Sequence, residues 1–600
     1  MIRSSKIQLG GAFVVGALAL LSSCGDSGYK SALDAAPDLS LPPQVTHLGV
    51  NQPVCCLETT QAEWRVMYLA SPQPGLSDNR GRDVATKGEL HLADAYGTDL
   101  TLATSVPRAG YVFSPDGRLV FFLAPSDNKD KTYALKFAAL SAGTLGTVNP
   151  VTVIERGLDD KPFNSQAFFS PSGRYLLIGV AAPGIAYSTD MTIVDVVTAR
   201  VIGTFPNGSF NYIENVTAND TLVYQNATAS KVLGVPSVVG LYTLPLAAAS
   251  KGAAGAAKPA LIDSRTTTFQ LTSDEGRVLY TKQDGTLWMF DFSDKSRVQV
   301  ASHVVQFTLG PDANGPVVWV DEVHALHVQP LFHPELVATA PGVTDPWSAF
   351  QFSPDAQTLY FFDRTSSQDS LGDLFRVDLS PSRKTSQPQL VEHRVSQTSL
   401  QFVHGRMRYI RTLDGRGEIG ELVSAELDGS DVKSIANGVA VGSIKAGVPR
   451  PPVPTAPTGN PNRGVVDAAQ PYVAPVWAQL VNAKRDTSLS TPLFDESEPI
   501  VGALGFSRDD GTPSILDPQV HLGAYSFSPD GYVLLYVGGA TLDTDLAAYL
   551  GTLHLEQTLV DQAPVTPMLN GVSEVGSIRD RAVFVAAPGA SPPGVYFIRY

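Results

Sequence analysis

Six hundred residues at 63.7 kDa exceed what one ordinary hydrophobic core holds, so the chain is expected to be a large repeat architecture or several domains. Apolar residues make up 43% and charged residues 17%, a balance that supports a packed core and excludes wholesale disorder. The 43 basic against 58 acidic residues leave a net charge of −15, which repels phosphate backbones and excludes nucleic acid as an expected partner, while 52 glycines and 44 prolines promise dense turns rather than long helices.

Arg3 and Lys6 precede an apolar stretch from Ile7 to Leu21, about the length of a secretory signal and short for a bilayer span. It ends in Leu21-Ser22-Ser23-Cys24, which resembles the lipobox of bacterial lipoproteins. That resemblance implies removal of 1–23 as a signal peptide, acylation of Cys24, and anchoring to a bilayer, because several acyl chains hold far longer than one. Gly25 at the next position is similar to the outer-membrane sorting pattern of enteric lipoproteins. An ordinary secretory signal with an incidental Cys24 is the alternative. Residues 24–56, with Pro37, Pro42 and Pro43, read as a lipidated tether. Only Cys55 and Cys56 remain as thiols, so no disulfide framework holds the fold; an oxidising compartment permits a vicinal disulfide there, as a local staple rather than a redox or metal site.

From residue 57 onward a repeat organises the chain. Phe113-Ser114-Pro115-Asp116-Gly117, Phe169-Ser170-Pro171-Ser172-Gly173, Phe352-Ser353-Pro354-Asp355-Ala356 and Phe527-Ser528-Pro529-Asp530-Gly531 are clear copies, and Leu271 to Gly276 and Leu309 to Asp312 are eroded ones. Each precedes a strand-length apolar run such as Leu119-Val120-Phe121-Phe122 or Leu359-Tyr360-Phe361-Phe362. Proline presets φ for a turn, aspartate bonds nearby amides and glycine takes the positive φ, so Pro115, Asp116, Gly117, Pro171, Gly173, Pro354, Asp355, Pro529, Asp530 and Gly531 are the expected turn-forming residues. A third run, as in Met191 to Val196, and a short fourth complete four antiparallel strands per unit.

These units resemble the WD40-like PD40 repeats of TolB-like β-propellers, with a strand, a Ser-Pro-Asp-Gly turn, a strand, a hairpin, a strand ending in aspartate, and a last strand. The resemblance implies an all-β propeller of about eight four-stranded blades, two smaller propellers in tandem being the alternative. Blades are expected over 57–447 and 476–600; the proline-rich 448–475 is a linker or, preferably, a loop excursion, and Ala247 to Ala260 is a long loop. The last strands, Arg581 to Val585 and Gly594 to Ile598, are expected to close the ring on an N-terminal strand at Trp64 to Leu69.

Candidate chemistry is sparse. No Gly-x-Ser-x-Gly elbow is present, and Ser126-x-x-Lys129 lies in a polar hairpin without the partners that make such a motif catalytic. His324, His327 and His333 beside Asp321 and Glu322 are spaced wrongly for chelation from one strand face, which favours a solvated hairpin. Asp116, Asp355 and Asp530 could line an axial cation site, but turn capping explains each more simply. Trp347 and Trp477 read as blade packing before binding surface. The reading that follows has no catalytic residues, no metal and no cofactor. It is a lipid-anchored, non-catalytic propeller of the bacterial cell envelope, at the outer membrane, binding an envelope protein or polymer through its loops. A channel-based enzyme or small-ligand receptor is the alternative.

Overall fold

The computed structural model describes residues 44–599 apart from 61–63, 74–86, 127–131, 142–144, 159–166, 182–188, 206–212, 229–237, 250–258, 311–314, 324, 331–337, 341–349, 355, 364–370, 380–387, 404, 412–413, 415–417, 448–475, 486–499, 509–512, 529–532, 544–547, 558–565 and 577–581. Cys24, Asp355, Pro529, Asp530, Gly531, Trp347, His324 and His333 lie outside the described residues.

An unbroken apolar strand must be covered on both faces, and Leu119–Pro125 shows how this chain does it. Val120 and Phe122 pack with Met67 and Leu92 of the preceding sheet, whereas Phe121 and Leu123 pack with Leu176 and Ile178 of the following one. Sheets therefore stack face to face. Burying each such side chain stabilises by about 1.5–3 kcal/mol.

The described strands form eleven four-stranded antiparallel blades: 54–107, 111–158, 167–205, 213–264, 266–301, 304–340, 350–396, 401–440, 445–521, 525–572, and 574–599 completed by 44–48. We number them 1 to 11. Blades 7 and 8 touch edgewise through Val395 opposite Arg411, and blades 9 and 10 share the long strand Ser514–Phe527. Eleven apolar clusters join consecutive blades all the way round, and one of them unites Val54, Val66 and Tyr68 of blade 1 with Phe584 and Val595 of blade 11. The result is a single closed β-propeller, not two in tandem. A register shift between third and fourth strands recurs in blades 1–5 and 7–10, the local over-twist expected of an outer strand.

Eleven blades exceed the eight expected: the repeated turn or an eroded copy of it marks blades 2, 3, 5, 6, 7 and 10, and the first-to-second-strand connections of blades 1, 4, 8, 9 and 11 do not carry it. In blade 9 that connection is 448–475 itself: Lys445–Gly447 and Val476–Arg485 pair with each other, so the chain leaves and re-enters one blade. Ring closure also differs from expectation. Arg65–Gln73 is the buried second strand of blade 1, flanked on both sides, and the strand that pairs with Gly594–Arg599 is Gln44–Leu48. Its polar sequence suits an outermost strand and disguised it, with Val54–Thr59, as part of a tether. A four-residue helix, Leu246–Ala249, opens the segment read as the Ala/Gly-rich loop.

The repeated turn is held by a residue that the backbone logic of proline and glycine overlooks. Ser114 Oγ accepts from the Leu119 amide at 2.9 Å and donates to Asp116 Oδ1 at 2.6 Å, while Asp116 accepts from the Arg118 amide and Gly117 takes φ +67°. The same hydroxyl reaches five residues ahead from Ser170, Thr272, Ser353 and Ser528, all buried. Gly173 keeps a positive φ, but Ala356 and Glu275 hold that position in blades 7 and 5, so Glu275 and not Gly276 is the left-handed residue of the eroded copy. Pro115, Pro171 and Pro354 lie in these turns beside the clamp.

Candidate functional site

The residues singled out for chemistry are structural where described. Asp116 caps its own turn. His327 stacks on Trp319 at 5.2 Å, and its ring nitrogen lies 2.7 Å from Asp321, which also accepts the Val323 and Ala325 amides and so braces the hairpin. The Ser126 amide donates to Thr132 O across the hairpin base. Trp477 is 1% exposed under the Arg408 guanidinium, 3.8 Å away. Among the described residues no group of three or more His, Cys, Asp or Glu could hold a metal ion.

A different constellation sits where the ring closes. Cys55 and Cys56 form a vicinal disulfide on the innermost strand of blade 1, Val54–Thr59. Cys56 has φ +65°, and the register slips between Cys55 and Glu58, so Cys56 and Leu57 leave the ladder with their amides unpaired by strand partners. Glu574, on the inner strand of blade 11, accepts both: Cys56 N to Oε2 at 2.7 Å and Leu57 N to Oε1 at 3.0 Å. Tyr111 of blade 2 donates its hydroxyl to the Cys56 carbonyl. One residue of blade 1 is thus held by side chains from both neighbouring blades.

The electrostatics of this seam are those of carboxyls taken out of water. Burial pushes the Glu574 carboxyl up, against the two amide hydrogen bonds that favour its charged form. Burial, reinforced by the charge of Glu574, pushes Glu58 up to about 7. Burial likewise drives the Tyr111 hydroxyl well above its ordinary value, with Glu574 and Glu58 adding to the shift. The Arg108 guanidinium opposes burial at both Glu574 and Tyr111, and burial still holds Glu574 and Glu58 above the ordinary carboxylate range.

Glu574 also faces a cavity of about 670 Å³ in the inner wall of blades 9, 10 and 11. Its polar lining includes Lys445, His521 and Ser573, and its apolar lining includes Leu535, Val537 and Val575. Lys445 Nζ donates to the Tyr525 carbonyl at 2.6 Å and lies 5.1 Å from the Tyr525 ring centre. Burial lowers its pKa. None of Glu58, Glu574, Tyr111 or Lys445 carries a sequence signature, and 518 residues separate Cys56 from the carboxylate that caps it.

No protein-family model matches the chain, and no curated protein matches it. Among solved structures it is similar to dihydro-heme d1 dehydrogenase NirN in complex with DHE, at 14% identity over 68% of this chain and 77% of that one, with a TM-score of 0.32. It is also similar to a eukaryotic initiation factor at 11% identity over 72% and 94% of the two chains, TM-score 0.35. The β-propeller domain of the Trilobed protease from Pyrococcus furiosus, described as having an open velcro topology, matches at 12% identity over 64% and 98%, TM-score 0.26. The fold stands on the blades and their closure: this chain is an all-β propeller.

Proposed function

We propose that the chain is a lipid-anchored, non-catalytic component of a bacterial cell envelope, held at the outer membrane through Cys24, whose propeller binds a protein or envelope polymer. Its repeats are read as PD40-type units of the TolB-like kind. The observation that carries the binding role is the exposure of two large apolar side chains, Tyr96 and Val197, on the same end of the ring. In an up-and-down blade the turns after the first and third strands share an end, and here they are stitched together, as by the Leu140 amide to Arg118 O and the Val196 amide to Arg174 O. Tyr96 and Val197, at the third-to-fourth hairpins of blades 1 and 3, are 76% and 78% exposed on that end. A rigid ring presents such loops without an ordering cost at each encounter.

Two measurements test this reading. Cys24→Ala is expected to leave the membrane fraction without losing its folded far-UV signature; continued detergent-dependent association of that variant would count against the anchor. Proximity labelling from the native envelope is expected to mark one dominant partner, with the labelling reduced by Tyr96→Glu. Equal labelling by Tyr96→Glu and the unaltered chain would remove that end of the ring as the binding surface.

A further inference from the structure

The cavity in the wall of blades 9 to 11 has its own chemistry, independent of anchoring and of any macromolecular partner. An ammonium, Lys445, stands on the inner strand of blade 9, and a carboxyl, Glu574, on the inner strand of blade 11, with blade 10 between them. Neither has an ion-pair partner within 4 Å among the described residues, although the Arg108 guanidinium acts on Glu574 from farther away. Lys445 makes one hydrogen bond, to a backbone carbonyl, which leaves ammonium protons for another acceptor. Glu574 spends one lone pair of each oxygen on the Cys56 and Leu57 amides and keeps the others. Leu535, Val537 and Val575 supply apolar wall.

We infer that this cavity binds a zwitterion of amino-acid to dipeptide size, its carboxylate toward Lys445, its ammonium toward Glu574, and an aliphatic side chain against Leu535 and Val537. Two opposite, separated and mutually unpaired charges in one partly enclosed space are complementary to a ligand that carries both, and neither a simple anion nor a simple cation satisfies the pair. Burial disfavours the charged form of each group in the empty cavity, and a zwitterion restores both. The volume of about 670 Å³ accommodates two aliphatic residues and a few waters.

The test uses the full chain and isothermal titration with leucine and leucyl-leucine as zwitterionic probes. Leucine amide, which lacks the carboxylate, and N-acetyl-leucine, which lacks the ammonium, are the controls. Saturable binding of at least one zwitterion is expected, with both blocked forms of leucine weaker by about tenfold or more. Lys445→Met is expected to abolish the preference for a free carboxylate while leaving the preference for a free ammonium, and Glu574→Gln the reverse. Lys445 bonds to Tyr525 of blade 10 and not to the Cys56 and Leu57 amides that Glu574 holds, so its variant remains readable if Glu574→Gln fails to fold. Absence of binding to either zwitterion at millimolar concentration overturns the inference, and so does binding of the blocked forms as tightly as the zwitterion.

Discussion

Replacing Glu58 by glutamine isolates the electrostatic strain of the closure seam. In the unfolded chain a glutamate titrates at 4.5, whereas burial and the neighbouring Glu574 carry Glu58 up to about 7 in the ring. At pH below about 4.5 both states hold the proton, and the folded state has its full contribution from this group. Between 4.5 and 7 the unfolded chain has released the proton and the folded one retains it, so stability falls as pH rises, by at most ~1.36 kcal/mol per pH unit. Above 7 the loss is complete, at about 3 kcal/mol for the interval between the two values. Glutamine keeps the shape and does not titrate. The Glu58→Gln chain is therefore expected to match the unaltered chain near pH 4.5 and to exceed it by about 3 kcal/mol near pH 8. The assay is paired denaturant unfolding at half-unit pH steps, read as the difference between the two chains so that titrating groups not coupled to Glu58 cancel and the difference reports Glu58 with its Glu574 partner. A difference that stays flat from pH 4.5 to 8 would refute the buried carboxyl pair, and a difference of opposite sign would show that Glu58 is held in its charged form.

Ser114→Ala removes the hydroxyl that receives the buried Leu119 amide and is expected to destabilise blade 2 by about 1–2 kcal/mol, more than Asp116→Ala does, checked by denaturant midpoints. Ala356→Gly restores the residue type that φ +56° favours, and amide exchange in the 350–363 segment is expected to slow by about fivefold, the equivalent of ~1 kcal/mol. A chain beginning at Val50 lacks Gln44–Leu48 and uncovers the edge of Gly594–Arg599, so light scattering is expected to show edge-paired oligomers that a chain beginning at Pro43 does not form.

The blades were legible wherever two faces had to be buried, because Leu119–Pro125 or Thr358–Asp363 cannot be read as anything but a covered strand. What the chain order concealed was the unit without a marker. Blade 1 begins in what resembles a tether, blade 9 is interrupted by 448–475, blade 11 is assembled from both ends of the described chain, and blades 4 and 8 lack the motif as well, so five of eleven leave no copy of it to find. The turn itself was read for the residues that set backbone angles. Those residues erode: Ala356 and Glu275 stand where glycine did. Ser353 and Thr272 persist, because a buried amide without a partner costs more than one left-handed residue. Of the candidate site only the cysteine pair was visible; its carboxylate cap is a product of ring closure, and no local pattern marks Glu574.

Glu574 belongs to two structures at once, and that ties them energetically. Its oxygens hold the Cys56 and Leu57 amides across the seam between the last and first blades, and its remaining lone pairs face the cavity. A protonated carboxyl accepts amide hydrogen bonds less strongly than a carboxylate, so protonation of Glu574 loosens its two-bond grip on blade 1 even though burial in the closed ring favours the neutral form. A positive charge placed in the cavity favours the carboxylate and strengthens that grip, at the same time raising Glu58 further through their mutual repulsion. Ring closure and cavity occupancy are therefore linked through one group, and linkage is reciprocal: a ligand that binds the closed ring better than the opened one stabilises closure by the free energy by which closure tightens its own binding.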